Sequence, residues 1–202
     1  EIAIGGVDNG KVDIVLVGDN KITVTAPYGN RAIYTYNVST LTFRGNGSLT
    51  IDYQVVASNQ VYMHGILMEG ESSSKNNGNL TFDESCTVTV KVDGKVAEKN
   101  GSVDAIYMMT NDIYSGTVTV GENATLNIDL ECDSDSQTYG IFAKGNVALN
   151  GTVDIKMEYT GSGAASNTWK DVFTYASYTT CSIGTNAKIT SVCPGSSGSS
   201  LT

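Results

Sequence analysis

Leu41-Thr42-Phe43-Arg44-Gly45-Asn46-Gly47-Ser48-Leu49-Thr50-Ile51 decides how this chain is read: two short runs of alternating apolar and polar residues, joined by a glycine-containing turn. An alternation of period two, bounded by Gly and Asn, reads as strands and not as helix. Working outward, the same pair of runs recurs as Ile14-x-Leu16 with Ile22-x-Val24, Leu80-x-Phe82 with Val88-x-Val90, and Val118-x-Val120 with Leu126-x-Ile128. In all four copies the second run starts 8 residues after the first. Val147-x-Leu149 with Val153-x-Ile155, and Cys181-x-Ile183 with Ala187-x-Ile189, repeat it at an offset of 6.

A small residue followed by isoleucine marks a third strand per repeat: Ala3-Ile4, Ala32-Ile33, Gly65-Ile66, Ala105-Ile106 and Gly140-Ile141, with Phe173 standing in for the isoleucine of the last copy. Repeats at intervals of 29 to 40 residues identify a stacked architecture in which each unit buries its apolar edge only against its neighbours. The expectation is an all-β parallel β-helix, a β-solenoid of about six rungs of three short strands. It forms one domain over 1–193, with a Gly/Ser-rich tail or linker at 194–202.

Stacking places equivalent residues of successive rungs about 4.8 Å apart in columns. Gly47, Cys86, Ala124 and Gly151 then line an inside corner, Tyr53, Val92, Leu130 and Met157 lie in the core, and Asp52, Lys91, Asp129 and Lys156 form an outward ladder of alternating sign. Cys132 and Cys193 share a column two rungs apart, about 9.6 Å, which is too far for a bridge. Buried thiols are expected for Cys86 and Cys132, with Cys181–Cys193 as the one feasible disulfide. The segments 68–79, 91–103 and 132–138 are insertion loops by composition.

The net charge of −9, with only 12 Lys and Arg, argues against nucleic acid as a partner. No apolar run reaches the roughly 18 residues needed to span a bilayer, so membrane insertion is not expected. Glu1 opens without signal-peptide features, as in a mature or trimmed segment. The acidic, Thr/Ser/Asn/Gly-rich, lysine-poor composition suits an extracellular or cell-surface location.

For function, the residue after each small-Ile pair reads Tyr34, Leu67, Tyr107 and Phe142, a candidate outward stripe for holding sugar rings, with Tyr36, Tyr62, Tyr114 and Tyr139 nearby. Asp133 and Asp135 are calcium candidates, two carboxylates at short spacing in a loop. A single histidine, His64, leaves no Ser/His/Asp set or zinc site, and no catalytic residue is assigned. Five Asn-x-Ser/Thr sequons start at Asn37, Asn46, Asn79, Asn123 and Asn150.

The Leu-Thr-Phe…Gly-Ser-Leu-Thr-Ile and Tyr-Gly-Ile-Phe patterns resemble the single-stranded right-handed parallel β-helix (pectate-lyase-like) repeats of bacterial secreted and surface proteins, including carbohydrate-binding domains of gut and cellulolytic Firmicutes. The resemblance covers residues 1–160, and more loosely extends to 193. It implies a non-catalytic module that binds polysaccharide or host and cell-surface glycan, or an adhesin. The alternative is a polysaccharide lyase or glycoside hydrolase of the same fold, whose Asn-Thr-Asp, Asp-Asp and Gly-His-Gly motifs are missing here. Open solenoid ends also make end-to-end self-association an expected property.

Overall fold

The structure is a computed structural model that describes residues 2–26, 31–55, 62–70, 78–94, 102–110, 116–133, 138–160, 169–174 and 179–192. The described residues are all strand, turn and bend, and every strand pairing is parallel. Two long strands, β1 (Ile2–Leu16) and β3 (Arg31–Gly45), pair along their length. The first half of β3 continues into a stack of β5 (Met63–Gly70), β8 (Val103–Thr110), β11 (Thr138–Ala143) and β14 (Trp169–Thr174). Its second half continues into β6 (Asn79–Phe82), β9 (Thr117–Val120), β12 (Val147–Leu149) and β15 (Cys181–Ile183). A separate sheet stacks β2 (Asp19–Ala26), β4 (Ser48–Val55), β7 (Thr87–Gly94), β10 (Thr125–Cys132), β13 (Thr152–Tyr159) and β16 (Ala187–Val192) in chain order. The chain therefore returns to each stack in turn, one winding at a time, which makes the architecture solenoid-like.

The expected columns are present. Asp52 pairs with Lys91, Lys91 with Asp129, and Asp129 with Lys156. Inside, Ile51, Val90, Ile128 and Ile155 run in one file, beside a second file of Tyr53, Val92, Leu130 and Met157, and all eight are buried. Phe43 and Phe82 stack ring on ring at 5.5 Å in the facing sheet. Parallel sheets require cover on both faces or a polar outer face. Here one face of each sheet turns inward, and the other carries Thr, Asn and charge and, on the β3–β5–β8–β11 stack, a file of rings.

The first winding lies two residues from the expected register. Val12 and not Ile14 pairs with Leu41, Ile22 pairs with Ile51 and not Leu49, and Ile2 rather than Ile4 pairs with Ile33. Asn20 occupies the place that later windings give to Leu or Val, so an apolar pattern slides past it. A slip of two residues preserves which face each side chain takes, because the side-chain period is two. In the last winding Val172, not Phe173, follows Ile141 in its file.

Two kinds of corner can be followed among the described residues. Between the halves of β3 a single left-handed residue, Asn37 at φ 55°, makes the bend. Segments of different length join the corresponding strands in later windings, which accounts for the uneven repeat length. At the corner leading into the second sheet an exposed Asn46, Ser85, Asn123 or Asn150 precedes the small residue Gly47, Cys86, Ala124 or Gly151. The N–H of the next residue then donates to the carbonyl of the small residue one winding earlier: Thr87 to Gly47, Thr125 to Cys86, Thr152 to Ala124. A Cβ on Gly151 would run into the Gly121 and Ala124 carbonyl oxygens.

Cys86 and Cys132 are buried free thiols. Cys181 is an exposed free thiol instead of half of a bridge, and its expected partner Cys193 lies outside the described residues. The tail 194–202 lies outside them as well.

Gly151→Ala is expected to destabilise the fold by about 1–3 kcal/mol in denaturant titration, since backbone must move to admit the methyl group. Thr81→Val on the outward face should stay within about 0.5 kcal/mol. Alkylation of the unfolded, unreduced chain should label Cys86, Cys132 and Cys181 alike.

Candidate functional site

The outward face of the stack β3–β5–β8–β11 differs from the other faces because it gathers aromatic rings, the sole histidine and a buried carboxylate. Its position follows from the small-residue corner Ala32, Gly65, Ala105, Gly140. These residues turn inward, and a Cβ on Gly65 would collide with Val90 of the opposite sheet. The isoleucine after each also turns inward, with Ile33, Ile66, Ile106 and Ile141 fully buried. The next side chain must then face outward.

All four stripe residues fall in one file: Tyr34 pairs with Leu67, Leu67 with Tyr107, and Tyr107 with Phe142. Their roles divide, however. Tyr107 and Phe142 stack on each other with centroids 4.5 Å apart and planes 12° apart, so those ring faces are turned along the solenoid axis and are used internally. Leu67 and Phe142 are 2% and 6% exposed, whereas Tyr34 and Tyr107 remain partly exposed. Tyr139 packs against both Tyr107 and Phe142.

Polar groups surround the open end of this file. The Arg31 guanidinium lies over the Tyr34 ring at 4.4 Å, a cation–π contact. The Tyr34 hydroxyl donates to Glu69 Oε2 at 2.8 Å, and Tyr36, in register with Glu69, sits 6.5 Å from Tyr34 ring to ring. Burial, then the hydrogen bond to Glu69 and its charge, push the Tyr34 phenol up to about 12 against an opposing pull from Arg31. Burial and the Asp104 charge push Tyr107 up to about 12 also, and raise Tyr139. All three phenols are therefore hydrogen-bond donors at neutral pH.

Two residues before each isoleucine runs a further file, Arg31, His64, Asp104 and Tyr139. Asp104 is fully buried and accepts from the Tyr139 N–H at 2.9 Å and from Ser102 Oγ. His64 Nδ1 lies 3.1 Å from Asp104 Oδ2 but makes no hydrogen bond there, so the contact is a close approach and not a directed bond. His64 rests 5.0 Å from the Tyr107 ring. Ser102, Asp104 and His64 are not a nucleophile set, since the hydroxyl bonds to the carboxylate and not to the imidazole that would have to take its proton. Their arrangement anchors His64 against the aromatic file.

Elsewhere, Tyr62 is exposed, and Tyr114 lies outside the described residues. Of the two calcium candidates, Asp133 follows the end of β10 and Asp135 lies outside the described residues. No three His, Cys, Asp or Glu side chains among the described residues are grouped to hold a metal ion. Arg44 meets Asp13 at 3.1 Å and Glu84 at 3.6 Å across three windings, with both pairs well exposed to water. On the second sheet a shallow depression of about 210 Å³ is lined by Asp52, Lys91, Val92, Asp93, Asp129 and Glu131.

No protein-family model matches this chain, and neither curated proteins nor solved structures show a match to it. The site stands on its own geometry. Sequence reading picks out the Tyr34 file but not Glu69 or Asp104, and it offers Arg31 only as a cation for the catalytic alternative. The repeat itself carries a signal, since Arg31 and Asp104 each sit two places before their winding's isoleucine.

Raised phenol pKa values set an alkaline limit on stability. Above pH 10 the unfolded chain ionises its tyrosines while folded Tyr34 and Tyr107 keep their protons, so the folded state binds more protons and stability falls as pH rises from 10 towards 12. Tyr107→Phe should flatten that fall when melting temperature is followed against pH.

Proposed function

We propose that this chain is a non-catalytic carbohydrate-binding or adhesive module of an extracellular β-solenoid, built as a right-handed, single-stranded parallel β-helix of about six windings in the manner of pectate-lyase-like repeats. The observation that carries the reading is the cluster of Arg31, Tyr34, Tyr36 and Glu69 on one outward face. It joins partly exposed rings to a guanidinium, a carboxylate and phenolic hydroxyls within one sugar's reach. Sugars offer apolar C–H faces and rings of hydroxyls, so a site for them needs an aromatic platform with donors and acceptors at its edge, a small set of fixed polar groups on an apolar base.

Within this reading the four stripe residues do different work. Tyr34 meets the ligand, while Leu67, Tyr107 and Phe142 continue its file and hold the platform from one side. The buried Asp104 keeps its neighbour His64 in place. A polysaccharide or cell-surface glycan is the expected ligand, with one of its sugars seated on the Arg31, Tyr34 and Glu69 end of the file. Calcium is not needed at this cluster, where Arg31 and Glu69 both engage Tyr34. The net charge of −9 is unsuited to nucleic acid, and no helix of the described residues is long and apolar enough to cross a membrane.

A panel of immobilised polysaccharides, read both for retention and for released product, tests the proposal. Retention without product is expected. Tyr34→Ala and Arg31→Ala should each weaken it by roughly tenfold or more, as loss of a central aromatic or arginine contact does. Retention unchanged in both variants would remove the site, and steady product release would move the reading to the lyase or hydrolase class.

A further inference from the structure

We propose that the glycan taken by this face is built of amino sugars with free ammonium groups, as in deacetylated chitin, and that Glu69 selects them, a choice of ligand that rests on the carbohydrate reading above. Glu69 lies on the outward face of β5 and is partly buried. Its carboxylate accepts from the Tyr34 hydroxyl at 2.8 Å, and among the described residues no Lys or Arg comes within ion-pair distance of it. Other outward carboxylates do hold cations: Asp52 meets Lys21 at 2.7 Å, Asp13 meets Arg44 at 3.1 Å and Glu158 meets Lys156 at 3.3 Å. A carboxylate partly out of water with one neutral donor is stabilised further by a charged donor that fits beside it.

The side chains in register with Glu69 leave an apolar flank for the rest of such a sugar. Tyr36 precedes it and Met109 follows it in one outward file, at steps of about 4.8 Å, and Met109 is 46% exposed. A glucosamine unit suits that file with its ammonium on Glu69, its C–H face along Tyr36 or the Met109 thioether, and its hydroxyls towards Arg31 and Tyr34. Arg31 already covers the Tyr34 ring at 4.4 Å, so it is not held apart as a cation for the carboxylate of an acidic sugar. The charge of −9 acts in the same direction over longer range, drawing cationic glycans in and holding polyuronates and sulfated glycans off. An N-acetyl group removes the ammonium and adds bulk at the atom that Glu69 would hold, so the acetylated sugar loses the contact.

Titration calorimetry of the 202-residue chain with a glucosamine oligosaccharide, its N-acetylated counterpart and an oligolysine of matching charge reads the outcome. The glucosamine oligosaccharide should bind roughly tenfold tighter than the acetylated one, the fold-change that a charge-assisted hydrogen bond supplies. Glu69→Gln keeps an acceptor for the Tyr34 hydroxyl and deletes the charge; it should erase that difference and leave the acetylated sugar's affinity as it was. Glu122→Gln makes the same change in net charge at an exposed turn between β9 and β10, and it should alter nothing. Equal affinity for both sugars, with Tyr34→Ala weakening both, overturns the choice of amino sugar and leaves the carbohydrate reading standing. An equal loss in Glu122→Gln, or oligolysine bound as tightly and with the same dependence on Glu69, overturns it also, since bulk charge or any ammonium would then suffice. Neither sugar bound, while another glycan is retained through Tyr34, overturns the ligand class alone; no glycan retained at all removes the reading beneath it too.

Discussion

Everything in this chain follows from parallel strands being hydrogen-bonded at a spacing of about 4.8 Å while each winding is too thin to bury its own apolar side. Once Ile51 is stacked on Val90 and Val90 on Ile128, the register of every neighbouring side chain is settled, inside and out. The apolar files then fill a narrow interior between two sheets, and the polar side chains form files of their own on the outer surface. Because a winding is stable only between others, the strength of the fold is shared along the axis instead of residing in one central cluster.

The outer files explain how faces of different chemistry arise on one solenoid-like stack. On the second sheet one file, Asp52, Lys91, Asp129 and Lys156, alternates in sign one winding apart and stabilises the surface weakly, whereas the next, Asp93, Glu131 and Glu158, repeats negative charge. On the face of β3, β5, β8 and β11 the files carry rings, and a file of rings covers itself. Tyr107 and Phe142 show this by stacking on one another. The end of the ladder is different, for there Tyr34 has Arg31 over its ring and Glu69 at its hydroxyl. Asp104 is a different kind of element, a carboxylate taken out of water whose Ser102 and backbone donors offset the cost of burial.

The solenoid-like stacking was legible in the sequence because period-two apolar pairs at a constant offset are a direct image of strands and turn length. The columns of Asp52 and Lys91 and of Gly47 and Cys86 could be written down from those pairs, and that of Tyr34 and Tyr107 from the small residue and isoleucine that mark the third strand. The first winding was misplaced by two residues because Asn20 interrupts the apolar pair that defines the others, and pattern matching follows hydrophobicity where the backbone follows hydrogen bonds. For the site, an aromatic stripe announces itself in the sequence, whereas the burial of Asp104 beside His64 depends on contacts between residues 40 positions apart. Which stripe members are covered was equally beyond the sequence, since coverage is decided by how neighbouring rings lean.

The corner that leads into the second sheet carries a lesson for reading such chains. An exposed turn residue, then a residue with almost no side chain, then a strand-forming hydroxyl amino acid together spell Asn-Gly-Ser at Asn46, Asn-Ala-Thr at Asn123 and Asn-Gly-Thr at Asn150. The spelling that sugar-transferring enzymes recognise is here a by-product of how a coil turns a tight bend. Counting those triplets in a coiled repeat protein measures its turns and says nothing about the compartment it was made in.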